Sequence, residues 1–261
     1  MKKILTTCLL LCLPVFAQAA GGDVPLEKAD INLENKSSLR HGAKLFMNYC
    51  LSCHSAGYMR YNRMAKDLGL ADEQVENNMM FVASFEKEDA PAGEAKSIGS
   101  LMTIAMQPKE AKKYFGTTVP DLSVMVRSKN QLFAPSSGAD WLYTYLTTFY
   151  IDESRPFGVN NEVSGNVAMP HVFWELEGLK KRVPIKREGG KETFKYEYVT
   201  EGKLSEVEYK RAVNDLVNFM VYMSEPIKVE RQRTGIFVMF FLLIFFFFAY
   251  LLKKEFWKDV H

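Results

Sequence analysis

The run IFVMFFLLIFFFFAYLL, residues 236–252, limits what this chain can fold into more than any other stretch. It is seventeen residues long and holds neither a charge nor a proline. In hydrocarbon a helix satisfies all its backbone polar groups internally, and this length is the short end of what crosses a bilayer. A core helix of a soluble domain would need a polar face, and the run has none. Lys253, Lys254, Trp257 and Lys258 follow, where interfacial anchors sit. A membrane-spanning helix is therefore expected over 235–252, with a tail at 253–261. Lys228, Arg231 and Arg233 precede the run, so basic residues on its two sides balance and do not orient it.

The opening MKKILTTCLLLCLPVFAQAA supplies the orientation. Lys2 and Lys3 form a positive n-region, Ile4 to Phe16 a short apolar core, and Ala17-Gln18-Ala19 a small-x-small cleavage site. Residues 1–19 are read as a cleaved secretory signal, not as a buried helix. Almost no apolar run precedes Cys8, which argues against a lipoprotein. The body, 20–230, is then exported to the periplasm of a bacterial inner membrane, and the tail stays in the cytoplasm. Losing the leader leaves 31 of the 33 basic residues against 31 acidic ones. A neutral body gives no electrostatic case for nucleic-acid binding. About 210 residues lie between leader and span, enough for one domain with its own core.

The leader also removes Cys8 and Cys12. Only Cys50 and Cys53 remain, in an oxidising compartment, so there is no disulfide framework to build. The pair stands in CLSCH with His54 directly after it. C-x-x-C-H is the attachment pattern of a c-type haem. Two thiols add to the two vinyl groups on one edge of the porphyrin, and the adjacent imidazole turns under the iron. A redox dithiol would expect a preceding strand, whereas SSLRHGAKLFMNYC has helical spacing with Leu39, Ala43, Phe46 and Met47 on one face. A zinc site would need two more ligands, and the only other histidines are His41, His171 and His261.

GAKLFMNYCLSCH, residues 42–54, resembles the first helix and haem motif of class I cytochromes c. Gly42 would let that helix approach another closely. The expected partner is Ser205–Ser224, which opens on the capping box Ser205-Glu206-Val207-Glu208. Val213, Leu216, Val217, Met220 and Met223 recur along it, and Pro226 ends it. A sixth ligand is also expected, and thioether sulfur raises the potential. Met79, Met80, Met102, Met106, Met220 and Met223 lie in or beside apolar helical runs and read as packing. Met169 stands instead in the loop sequence GNVAMPHVF, with His171 as its competitor.

Across nearly the whole mature chain the sequence resembles the cytochrome c1 family, the haem-carrying subunits of bacterial ubiquinol–cytochrome c reductase. The resemblance rests on the haem motif, YFGTTVPDLSVMVR at 114–127, GADWLYTYLTTFY at 138–150, NVAMP at 166–170, FMVYMSEP at 219–226 and the single C-terminal span. It implies a mainly α, class I cytochrome c-like haem domain plus one C-terminal transmembrane helix. It implies one covalent haem c, with Cys50 and Cys53 as thioethers, His54 proximal and Met169 distal. Arg127 would pair with a haem propionate and Pro120 would line the pocket, while Trp141 and Tyr143 are either porphyrin neighbours or core filling. The implied partners are a cytochrome b subunit, a Rieske iron–sulfur subunit as donor and a periplasmic cytochrome c as acceptor, in a dimeric complex.

No side chain needs to act as acid, base or nucleophile in such a role. The alternatives are a free-standing membrane-tethered cytochrome c feeding a terminal oxidase or reductase, and a haem sensor whose iron Met169 leaves open. Two further stretches stand apart. KKRVPIKR and ETFKYEYV flank Glu188-Gly189-Gly190-Lys191, and Phe194, Tyr196 and Tyr198 alternate, so a small β-hairpin is expected at 175–200. Glu86, Glu88, Asp89 and Glu94 form an acidic loop, either merely solvated or able to steer a basic acceptor.

Overall fold

The computed structural model describes residues 24–80, 97–104, 106–130, 136–186 and 192–259. The expected leader, the acidic loop and the hairpin turn at 188–191 lie outside these residues.

Helix α1, Lys36–Leu45, opens on the cap expected of a helix start: the Asn35 side chain accepts from the Ser38 N–H at 3.1 Å. Its apolar stripe is the one the spacing predicts, with Leu39, Ala43, Phe46 and Met47 all buried. The chain then widens into a π-helical turn, Phe46–Cys50, before the haem motif. Such turns occur mostly as single insertions in helices, often at functional sites. Short pieces follow: β1 (Ala56–Arg60), α2 (Tyr61–Leu68), α3 (Asp72–Met79), β2 (Leu101–Met102), α4 (Pro108–Phe115), α5 (Met125–Ser128) and α6 (Gly138–Thr147). Then come β3 (Phe149–Ile151), β4 (Val159–Asn161), α7 (Trp174–Glu177), β5 (Gly178–Lys186), β6 (Glu192–Glu201), α8 (Glu206–Ser224) and α9 (Lys228–Phe256). The strands form three antiparallel pairs, β1–β2, β3–β4 and β5–β6.

The core is built on α1 lying across α8. At the crossing a Cβ on Gly42 would strike the Asp215 carbonyl and approach the Phe219 Cβ to 2.7 Å, so only glycine permits this approach. Phe46 and Phe219 meet there with ring centroids 5.6 Å apart. The α8 capping box forms: Ser205 N–H donates to Glu208 Oε2 at 2.9 Å, and Glu208 N–H to Ser205 Oγ at 3.4 Å. Val213, Leu216, Val217, Met220 and Met223 are all buried, and the helix stops two residues before Pro226. Burying each such side chain contributes roughly 1.5–3 kcal/mol. The segment before α1 is pinned to both neighbours, Ala29 N–H donating to Asp140 at 2.8 Å and Asn218 Nδ2 to the Asn32 carbonyl at 2.9 Å.

The expected hairpin is present as β5 and β6, registered from Gly178↔Glu201 to Lys186↔Glu192 with a bulge at Leu179/Lys180. The face carrying Lys180 and Arg182 turns inward. Arg182 lies between the rings of Tyr150 and Phe194, at 4.2 and 4.5 Å from their centroids.

Helix α9 runs farther than the apolar run, across 29 residues, and every large apolar side chain from Ile236 to Leu252 is exposed. Among the described residues it is the one helix long and apolar enough to cross a membrane.

Candidate functional site

The π-helical turn delivers Cys50 to a tight helical end. The N–H groups of Cys53 and His54 both donate to the Cys50 carbonyl, at 3.1 and 2.8 Å. All three motif side chains therefore leave one turn. Neither cysteine is in a disulfide, Cys50 being buried and Cys53 half-buried. Burial, and secondarily the neighbouring Cys53, pushes the Cys50 thiol up to about 12.

His54 is fixed from the other side of the site. Its Nδ1 lies 2.8 Å from the Pro120 carbonyl oxygen, a pure acceptor, so Nδ1 carries the hydrogen and Nε2 keeps its lone pair. Burial lowers the affinity of the ring for a second proton, opposed by the Pro120 bond and by Asp121. A neutral imidazole with one nitrogen tied to a backbone carbonyl is the form that ligates metals. The loop that carries Pro120 is itself tied down. Leu122 N–H donates to the Ser55 carbonyl at 2.8 Å, Gly57 N–H to Asp121 Oδ2 at 2.8 Å, and Tyr58 N–H to Ser123 Oγ at 3.0 Å. Pro120 thus joins the site through its carbonyl, while its ring is exposed.

Met169 lies in a second, smaller apolar cluster with Phe149, Val159 and Val167. Tyr145 belongs to the margin of both clusters, and its hydroxyl lies 3.5 Å from Met169 Sδ. A file of rings leads past this point. Trp141 stacks on Tyr145 at 5.1 Å, Tyr145 meets Phe149 edge-on at 5.2 Å, and Phe149 stacks on His171 at 5.0 Å. The competitor His171 is 5% exposed, and its Nε2 lies 2.9 Å from Glu177 Oε2. That approach lacks hydrogen-bond geometry, and neither ring nitrogen of His171 has a hydrogen-bond partner, so both candidates for the sixth ligand stay open.

The remaining expectations separate. Tyr143 is buried in the main core, whereas Trp141 is half-buried with Lys129 Nζ 4.2 Å from its ring centroid. Arg127 is exposed and lines an open cleft of about 790 Å³ with Glu225 and Lys228, at the root of α9. Sequence reasoning passed over Tyr145 and Phe149. Their signal was the i, i+4 spacing of Trp141, Tyr145 and Phe149, which puts three rings on one side of α6 and its exit.

The donor set suits a haem. Among the described residues no group of three His, Cys, Asp or Glu side chains is placed to hold a metal ion. A helix, not a strand, precedes the cysteines, which does not match a dithiol oxidoreductase. Two free thiols on one turn and an adjacent imidazole tied through Nδ1 are the donors a haem c-binding domain would need, here in a chain with an apolar C-terminal helix.

Comparison with known proteins narrows the class. The Cytochrome C1 family profile matches residues 30–260. The sequence is 44% identical to cytochrome c1 of Allochromatium vinosum over 264 residues, covering all of both chains. It is 40% identical over 261 residues to a Nitrosomonas europaea protein named ammonia monooxygenase gamma subunit, covering 100% of this chain and 99% of that one. It is 22% identical over 252 residues to cytochrome b/c1 of Bradyrhizobium diazoefficiens, covering 87% of this chain and 34% of the other. The chain belongs to the cytochrome c1 family. That family comprises electron-transfer subunits of cytochrome bc1 complexes and implies a haem c cofactor.

Proposed function

We propose that this chain is the membrane-anchored one-electron relay between a Rieske iron–sulfur subunit and a periplasmic cytochrome c, within a dimeric ubiquinol–cytochrome c reductase. The observation that carries this reading is the motif turn, whose His54 is held through Nδ1 by the Pro120 carbonyl, in a chain that matches the family over residues 30–260. The name cytochrome b/c1, given to one relative, joins the two cytochromes in a single protein. It supports a cytochrome b neighbour for this chain.

When bound, haem c supplies one-electron chemistry between ferric and ferrous states. The chain's own residues do the rest. The Cys50 and Cys53 sulfurs would hold the single haem through thioether bonds, and His54 Nε2 and Met169 Sδ would ligate its iron. Arg127 supplies a guanidinium for a propionate, since a carboxylate removed from water needs a partner. Phe149 and His171, the buried end of the aromatic file beside Met169, would keep water from that side.

Residues 1–19 direct export and are removed. The body lies in the periplasm, residues 235–252 cross the inner membrane, and 253–261 remain in the cytoplasm. Exposed apolar residues around the whole circumference of α9, with Lys253, Lys254 and Trp257 beyond them, support the crossing itself.

The test is purification from native membranes in mild detergent, followed by a haem spectrum and a quinol-driven cytochrome c reduction assay. Co-purifying b-type haem and iron–sulfur protein with quinol oxidation are expected. C-type haem alone, without quinol activity in intact complexes, would establish a free-standing tethered carrier instead. The Nitrosomonas relative's name favours a second reading, a haem subunit associated with an ammonia-oxidising enzyme. Under it, a monooxygenase would replace cytochrome b in the purified complex.

A further inference from the structure

Basic and acidic residues nearly balance over the chain, 33 against 31, but they are not spread evenly along it. Helix α4, Pro108–Phe115, carries Lys109, Lys112 and Lys113, all exposed. Its one acid, Glu110, is turned to the helix start, where it accepts from the Gln107 N–H at 3.1 Å. Among the described residues none of the three lysines is ion-paired. Tyr114 stands 70% exposed beside them, with Lys113 Nζ 5.9 Å from its ring centroid. The helix is held by its opposite face, where Ala111 is buried and Phe115 meets Phe157 at 6.1 Å.

This helix leads directly to the haem motif. The chain from Phe115 to Pro120, whose carbonyl holds His54, spans at most about 18 Å even when fully extended. Just past His54, Tyr58 is 82% exposed, and Val124 is 42% exposed. The Tyr58 N–H donates to Ser123 Oγ at 3.0 Å, which keeps both side chains beside the Pro120 loop. An apolar contact point therefore lies next to the motif, with a basic helix close by. A small domain about 30 Å across, settling on this side, would span both. Electron-transfer encounters bury little area, and their charges act mainly by steering the approach.

We propose that α4, with Tyr58 and Val124, forms a docking surface for an electron-accepting protein whose own contact face is acidic. The inference deepens the relay reading above and rests on it. One electron passes from ferrous haem on this chain to ferric haem on the acceptor, and no bond forms or breaks. The sign is opposite to that expected from the acidic loop at 86–94, which lies outside the described residues.

The test sets two forms of one probe against the full haem-loaded chain in uncharged detergent. The first is a basic, lysine-rich cytochrome c of the mitochondrial type. The second is the same protein with its lysines succinylated, which makes it acidic. Binding is read first with both proteins ferric, so that no electron moves. The reduced chain is then mixed with each ferric probe by stopped flow across a series of salt concentrations. The variant combines Lys109→Gln, Lys112→Gln and Lys113→Gln, which remove charge at little cost in helix propensity.

The acidic form is expected to bind more tightly at low salt and to oxidise the chain at least about tenfold faster there than at high salt. The basic form should show the opposite trend. The variant should lose most of this difference while its haem spectrum stays unchanged. A preference for the basic form would overturn the proposal and return the steering role to the acidic loop. The same salt dependence in the variant as in wild type would overturn it too. Salt-sensitive binding of the acidic form without electron transfer would instead overturn the relay reading and leave the surface in place.

Discussion

Replacing Gly42 with alanine sets two effects of opposite sign against each other. In a free helix the change is favourable by roughly 0.5–1 kcal/mol, because glycine loses more backbone freedom on folding. Here the added methyl would overlap the Asp215 carbonyl and lie 2.7 Å from the Phe219 Cβ. Carbon atoms pack best at about 3.5–4.0 Å, so α1 and α8 must separate by about 1 Å. Overpacking of this kind costs about 1–3 kcal/mol, and the separated faces also lose dispersion contacts. The steric cost wins, leaving a net loss of about 1–2 kcal/mol. For a domain of this size that lowers the Tm by roughly 2–8 °C. The assay is thermal unfolding of the haem-loaded chain in detergent, beside Gly165→Ala, where a Cβ meets nothing within 4 Å. The control should stay within about 0.5 kcal/mol of wild type. A Gly42→Ala protein as stable as wild type would refute the reasoning that this crossing is limited by contact at Gly42.

Three other outcomes are expected. Met169→Ala should lose the thioether band and lower the midpoint potential, and an unchanged spectrum would remove Met169 from the site. Tyr145→Phe removes the hydroxyl 3.5 Å from Met169 Sδ. The sulfur then donates more fully to ferric iron, so the potential should fall slightly while the band persists, as redox titration would show. The Ser205 hydroxyl, and then its backbone N–H, hold the Glu208 carboxyl below its ordinary 4.5. The folded state prefers the ionised form, so this contribution is complete above 4.5 and disappears as pH falls through the depressed value. Glu208→Gln should therefore flatten the acid limb of the stability curve below pH 4.5, measured by urea unfolding.

What could be read from the sequence was what repeats or signs itself locally. The buried stripe of α1, the Ser205–Glu208 cap, the stop before Pro226, the alternating aromatics of β6 and the apolar run of α9 all express a period or a short motif. The haem motif is of the same kind, since three adjacent residue types carry the chemistry. The pairings that complete the site are not. His54 meets Pro120 across 66 positions, and Tyr145 meets Met169 across 24. Neither separation has a period, and a backbone carbonyl has no residue signature. The π-helical turn escaped for a related reason, because one extra residue in a helix leaves the apolar stripe nearly intact. Arg127 was assigned by its neighbours in sequence, and its place at the root of α9 depends on where α5 packs.

Every role assigned to this chain depends on covalent attachment of the haem. An intact mass spectrum of the membrane-purified chain, with a thiol count on the denatured protein, tests it most directly. One added haem on a chain beginning after Ala19, with no free thiol, is predicted. A chain without added mass, or one with two reactive thiols at Cys50 and Cys53, would contradict it.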